Sequence, residues 1–272
     1  MGIEIDTTEF SEADHRRFAQ RLEDQLVLLR ELVARPGFGV GPATLGAELE
    51  LYLVDDQGLP ACCNAEVLEA LGDPQLTLEL NRYNLEYNLS AHALGDEGLL
   101  ATEREIGRRL ADLRSVAAEF SARVVPIGIL PTLRPEDFGR HRITDRQRYH
   151  ALVAQLLRWR GSDFHIDING AEPLQLGMTD ITLEGANTSF QVHLRVDPEH
   201  YAATFNTLQL VTPLVVAICA NSPGLFRHDL WDETRIPLFK QSIDTRHTDR
   251  YRWSEPARLT RTYPVDAEDE ES

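Results

Sequence analysis

The sequence predicts an α+β fold, with helices and strands in one large domain. Two observations carry this. Short runs alternate apolar and polar residues with a period of two, the mark of a strand with one buried face. Longer runs repeat apolar residues at helical spacing behind capping signals. The size agrees: 272 residues, 42% hydrophobic and 26% charged, suit an ordinary globular chain with a sizeable core.

In chain order, Ser11 to Ala34 reads as a helix. Ser11 and Asp14 form a capping box, and Phe18, Leu22, Leu26 and Leu29 keep the period. Pro36 and Gly37 stop it. Ala47 to Val54 reads as a strand, with Leu49, Leu51 and Leu53 alternating with Glu48, Glu50 and Tyr52. A short loop and helix follow at Asn64 to Leu71. Leu76 to Ser90 reads as a second acidic strand, with β-favouring residues around Glu79 and Glu86. Glu97 to Ala122 is a long helix, with Leu99, Ile106, Leu110 and Leu113 on one side. Arg123 to Leu130 is a short strand broken by Pro126 and Pro131. Thr144 to Trp159 is a helix with Thr144 and Gln147 as its capping box. Strands are expected at His165 to Asn169, Leu174 to Leu183 and Asn187 to Val196. Asp197, with Pro198 behind it, opens a helix to Ala220, which Asn221, Ser222, Pro223 and Gly224 end. Val265 to Ser272 is an acidic tail expected to be disordered.

The acidic strands carry the chemistry. Glu48 and Glu50 project from one face, about 7 Å apart along the strand. Like charges so placed suit a hard divalent cation with oxygen ligands; taken alone, the run is better explained by an acidic solvent-facing strand. Glu79 and Glu86 are seven apart, an odd number, so a regular strand points them to opposite faces. They share a site only if a bend or bulge intervenes, for which Asn81 to Asn84 is the candidate. Four such carboxylates could hold two Mg²⁺ ions bridging nucleotide phosphates. Ser189, Gln191 and His193 share a face of a later strand, where Gln191 and His193 could reach a metal or a phosphate; a satisfied structural pair is the alternative. Arg235 could clamp a substrate carboxylate or form a surface ion pair. Asp163, His165 and Asp167 fit a polar strand face.

Composition excludes some partners and places the chain. A net charge of −17, from 44 acidic and 27 basic residues, argues against nucleic acid and against an anionic membrane. ATP stays open, because bound metal inverts the local charge. Three cysteines form no disulfide framework and no zinc spacing, which fits the cytoplasm. The N-terminus lacks a basic region followed by an apolar one and reads without a signal peptide. Leu208 to Ala220, the most apolar stretch, reads as too short to span a bilayer. There is no P-loop, dinucleotide fingerprint or nucleophile motif, so a nucleotide would bind through metal and side chains.

An ordered set of pieces resembles the glutamate–cysteine ligase type 2 family, carboxylate–amine ligases with a glutamine-synthetase-like catalytic fold. The pieces are Gly46-Ala47-Glu48-Leu49-Glu50, Asn84-Leu85-Glu86-Tyr87-Asn88 and Thr188-Ser189-Phe190-Gln191-Val192-His193-Leu194. They continue with Asn206 to Pro213, Ala220 to Pro223 and Trp231 to Arg235. The resemblance implies a largely antiparallel, curved sheet with long helices packed on one face, as a single catalytic domain over residues 1–258. It implies Mg-ATP-dependent phosphorylation of a glutamate side-chain carboxylate, then attack by the amine of cysteine or of another acceptor. It implies Glu50, Glu79 and Glu86 at one Mg²⁺, and Glu48 with Gln191 at the other. His193 would lie near the ATP phosphates and Arg235 near the amino-acid carboxylate. Relatives often carry His where Gln191 stands, though an amide oxygen also binds Mg²⁺. The family also continues beyond this length with a further acidic ligand and basic residues, so the site encoded here is expected to be incomplete: a truncated product, a site completed by another subunit, or a non-catalytic protein that binds Mg-nucleotide. The acceptor amine and the oligomeric state, a homo-oligomer included, leave no motif.

Overall fold

The structure is a computed structural model that describes residues 4–95 and 97–246. The acidic tail and the end of the expected domain, residues 247–272, lie outside the described residues.

The chain opens with helix α1, Glu12–Val33, capped as the sequence predicts by reciprocal bonds between Ser11 and Asp14. Strand β1, Thr44–Val54, follows, then α2, Asn64–Leu71, and the strands β2, Leu76–Leu78, β3, Asn84–Asn88, and β4, His92–Ala93. Helix α3 spans Gly98–Glu119, strand β5 Arg123–Val125 and helix α4 Gln147–Arg160. Strands β6, Phe164–Ile168, and β7, Leu174–Met178, form a separate hairpin. Strand β8, Phe190–Leu194, precedes α5, Tyr201–Cys219. The small hairpin β9, Gly224–Leu225, with β10, His228–Asp229, leads to α6, Arg235–Ser242.

Six strands make one antiparallel sheet around β1, confirming the α+β expectation. One flank of β1 pairs with β3 and β4, the other with β8 and β5, and β2 lies outside β3. One face of the sheet is apolar. Leu51, Leu53, Leu85 and Tyr87 pack there against Val67 of α2 and Leu110, Leu113 and Ala117 of α3. This burial is the main driving force holding α3 on the sheet.

The opposite face divides along β1. Tyr52 and Val54 are buried in a second core with Tyr83, Ile129, Leu183 and Ala186. Tyr52 stacks on Tyr83 with ring centroids 6.0 Å apart and donates a 2.6 Å hydrogen bond to Ala186 O. Earlier in the same strand, Glu48 and Glu50 are only partly buried.

Four expectations change. Leu76 to Ser90 is not one bent strand but the hairpin of β2 and β3, reversed through Glu79 to Tyr83 with Asn84 N bonded to Asn81 O. Thr144 does not cap α4; its hydroxyl donates to Glu79 O and accepts from Asn64 Nδ2, and Arg146 occupies the cap position. Strand β7 ends at Met178, because Asp180 takes up Thr182 N in a local turn. The apolar stretch near Leu208 is longer than its sequence suggests. Pro198–Cys219 is continuously helical over 22 residues, enough by length and composition alone to cross a membrane.

Helices α1 and α5 contain no buried residue. Helix α5 has no charged side chain, and Leu210 and Ile218 are 79% and 84% exposed. An apolar surface of this kind asks for a covering partner.

Candidate active site

The register of β1 assembles the site. Residues opposite one another in an antiparallel pair share a face. Glu50 faces Glu86 and Glu48 faces Asn88 across β3, while Glu48 faces Gln191 and Gly46 faces His193 across β8. Thr77 of β2 faces Glu86, and Glu79 follows two residues later on the same side. The hairpin therefore answers the odd spacing: Glu79, the first residue past β2, and Glu86 on β3 bring their carboxylates together.

One oxygen from each of Glu50, Glu79 and Glu86 lies within 4.8 Å of the others. Glu86 is buried, and its Oε1 accepts from Asn88 Nδ2 at 2.7 Å and Thr77 Oγ1 at 3.3 Å. Glu50 Oε2 accepts from Ser189 N at 2.6 Å, and Glu79 Oε2 from Leu80 N at 3.2 Å. Burial pushes the Glu50 carboxyl up to about 7, against the opposing effect of the Ser189 amide and with added repulsion from Glu184 and Glu86. Burial, followed by repulsion from Glu86 and Glu50, pushes Glu79 up to about 8. Three mutually repelling, desolvated carboxylates with oxygen-only donors fit a hard divalent cation such as Mg²⁺.

The other predicted residues are distributed around this group. Glu48 stands outside the close trio, with His193 Nε2 3.7 Å from its Oε1. Gln191 and His193 are exposed on the edge strand β8. Arg235 opens α6, and its guanidinium is held by Glu233 through Nε and Nη2, both at 2.6 Å, and by Thr188 O through Nη1 at 2.7 Å. It is thus an internal ion pair rather than a surface one, and the Glu233 pairing raises its pKa. His165 and Asp167 are exposed on β6, with Asp167 O accepting from Gln241, as a polar strand face requires.

A cavity of about 630 Å³ reaches from Glu50 of the trio to Arg235. Glu50, Ser189, Gln191, Glu233 and Arg235 line its polar side, and Val215, Val216 and Cys219 of α5 form an apolar wall. The end of α5 is therefore committed to the cavity.

Two functional candidates escape sequence reading. Glu184 lies in the single 3-10 turn Glu184–Ala186 and lines the cavity, and burial pushes its carboxyl up to about 7. Glu233 is the partner that fixes Arg235. Neither belongs to a periodic run. Glu233 lies within the Trp231 to Arg235 piece, where its Glu-x-Arg spacing to Arg235 was the local signal of the pairing.

The family model described as glutamate-cysteine ligase family 2 (GCS2) matches residues 44–257, from the first residue of β1 to beyond α6. No curated protein matches the chain.

Proposed function

The chain belongs to glutamate-cysteine ligase family 2, a family of carboxylate–amine ligases, and on that premise we propose that it uses Mg-ATP to join the side-chain carboxylate of glutamate to the amine of cysteine. The observation that carries this reading is the trio Glu50, Glu79 and Glu86 at the edge of a cavity that also contains Arg235.

Glu50, Glu79 and Glu86 would hold one Mg²⁺, and Glu48 with Gln191 would contribute to a second. When bound, the metal neutralises the phosphate charge that otherwise repels an incoming carboxylate. The chain's own residues supply the rest. Ser189 N and Asn88 Nδ2 hold Glu50 and Glu86 in position. His193, exposed beside Glu48, can reach a nucleotide phosphate from the open edge of the sheet. Arg235, which lines the cavity, keeps two of its five N–H groups after bonding Glu233 and Thr188, and these would be available to a substrate carboxylate. The apolar wall from α5 limits water at the acyl phosphate, which must survive until the amine attacks. That attack forms the amide bond and releases phosphate. Three free cysteines suit a reducing cytoplasm.

The test is phosphate release by the purified chain with Mg²⁺, ATP and glutamate, with and without cysteine, beside Glu48→Gln. Cysteine-dependent release that the variant lacks supports the reading. Release that follows another amine in place of cysteine moves the acceptor assignment. A folded chain that binds Mg-ATP and releases nothing with any amine sinks the catalytic reading.

A further inference from the structure

Resting on the ligase reading, we propose that Glu184 is the receptor for the ammonium group of the amino-acid substrate, so that the cavity selects α-amino acids over simple dicarboxylates. Three acidic side chains line the cavity: Glu50, Glu184 and Glu233. Two of them already have partners. Glu233 is held by the Nε–Nη2 edge of the Arg235 guanidinium and by the Ser222 hydroxyl. Glu50 accepts from Ser189 N and belongs to the close carboxylate trio. The carboxylate of Glu184 makes no hydrogen bond or ion pair among the described residues; it is not one of the close trio, but Glu50 and Glu79 lie near enough to repel it, which adds to its need for a cation.

A partly buried carboxylate that lines the cavity without a hydrogen-bond partner is best matched by a cation supplied from the cavity. Glu184 lines the cavity, and its turn is held by local hydrogen bonds. Glu184 N donates to Ile181 O at 2.9 Å, and Asn187 N and Nδ2 donate to Glu184 O at 2.9 and 3.0 Å. The next residue, Gly185, packs so closely on the Asn81 amide that a Cβ would not fit, and Ala186 O is bound by Tyr52. The turn is therefore fixed before any ligand arrives, as a recognition group requires.

The cavity thus offers complementary charges for a zwitterion. Glu184 meets the ammonium, and the two unused N–H groups of Arg235 meet the α-carboxylate. The side-chain carboxylate is left to approach Glu50 and its neighbours. A dicarboxylate of the same length without the ammonium would leave Glu184 unmatched.

The experiment compares glutamate with glutarate, which lacks only the ammonium, by calorimetric titration into the full chain with Mg-ADP present. The wild type is expected to prefer glutamate. Glu184→Gln, which keeps size and removes the charge, should weaken glutamate by about 10- to 100-fold, as for a lost hydrogen bond to a charged group. It should not weaken glutarate binding or Mg-ADP affinity, and retained glutarate binding also reports an intact fold. An unaltered preference in the variant overturns the proposal. So does a loss of Mg-ADP affinity, which would make Glu184 a metal ligand. A wild type that binds neither Mg-ADP nor glutamate overturns the ligase reading itself; one that binds Mg-ADP and treats the two ligands alike overturns only the role of Glu184.

Discussion

Magnesium affinity should rise steeply with pH between 6 and 8, and the structure sets the magnitude. Metal binding requires ionised carboxylates. Glu50 titrates near about 7 and Glu79 near about 8, both raised from 4.5 chiefly by burial. The two repel each other, so the pair loses its protons together across this window. Releasing at least one proton per metal over two pH units makes the expected gain in affinity on the order of 10²-fold or more, about 3 kcal/mol. The metal-free protein should show the opposite trend. An acid whose folded pKa is raised favours the folded state below its unfolded value and loses that advantage as pH rises through the folded one. The window here runs from about 4.5 to about 8. Metal-free melting temperature should therefore fall from pH 6 to pH 8.5, and saturating Mg²⁺ should reverse the fall. Calorimetric Mg²⁺ titrations and thermal melts at constant ionic strength measure both. Equal affinity at pH 6 and pH 8, or a metal-free melting temperature that rises across the window, would refute the reasoning.

Three substitutions probe the same architecture. Glu50→Gln should abolish Mg-dependent nucleotide binding while the far-ultraviolet circular dichroism is unchanged, because an amide oxygen still accepts from Ser189 N; retained binding removes β1 from the metal site. Gly128→Ala would drive a methyl group into Asn221 Oδ1 and to 2.9 Å from Arg235 Nε, so amino-acid binding should drop with Mg-nucleotide binding kept, at a stability cost of about 1–3 kcal/mol in denaturant melts. Leu113→Ala, at a fully buried position between α3 and the sheet, should cost about 2–5 kcal/mol, read as a lower denaturation midpoint with an unchanged slope.

Much of this was legible where local rules act alone. The alternation of β1 placed Glu48 and Glu50 on one face, and the Ser11 capping box and the Asp197 cap appear as read, the latter with Asp197 Oδ1 accepting from Glu199 N. The reading weakened where tertiary contacts decide. An odd spacing of carboxylates looked like a bent strand because nothing in Asn81 to Asn84 announces a complete reversal; the turn is fixed by Asn81 bonding Tyr83 Oη and Thr182 O, and Thr182 is distant in sequence. Thr144 was legible as a cap only until its hydroxyl was claimed by Glu79 O and Asn64. The period of α1 promised a buried stripe, yet every one of its described residues stays outside the core, since periodicity reports a face and not what covers it.

Register links the stability of this fold to its chemistry. A slip of β1 by one residue would turn Glu50 into the apolar core and Leu51 toward the carboxylates. Leu51, Leu53, Leu85 and Tyr87 oppose that slip from one face. Tyr52 opposes it from the other, through Tyr83 and Ala186 O. Ala186 ends the turn that carries Glu184, and Ser189, three residues on, binds the Glu50 carboxylate. The second core thus grips the same short segment that builds the cavity. Glu50 stands at the boundary where β1 leaves that core for water, which is why burial dominates its titration. The destabilisation that comes with gathering desolvated acids is offset by apolar packing on both sides of one strand. The carboxylates can then be held close together before any cation arrives.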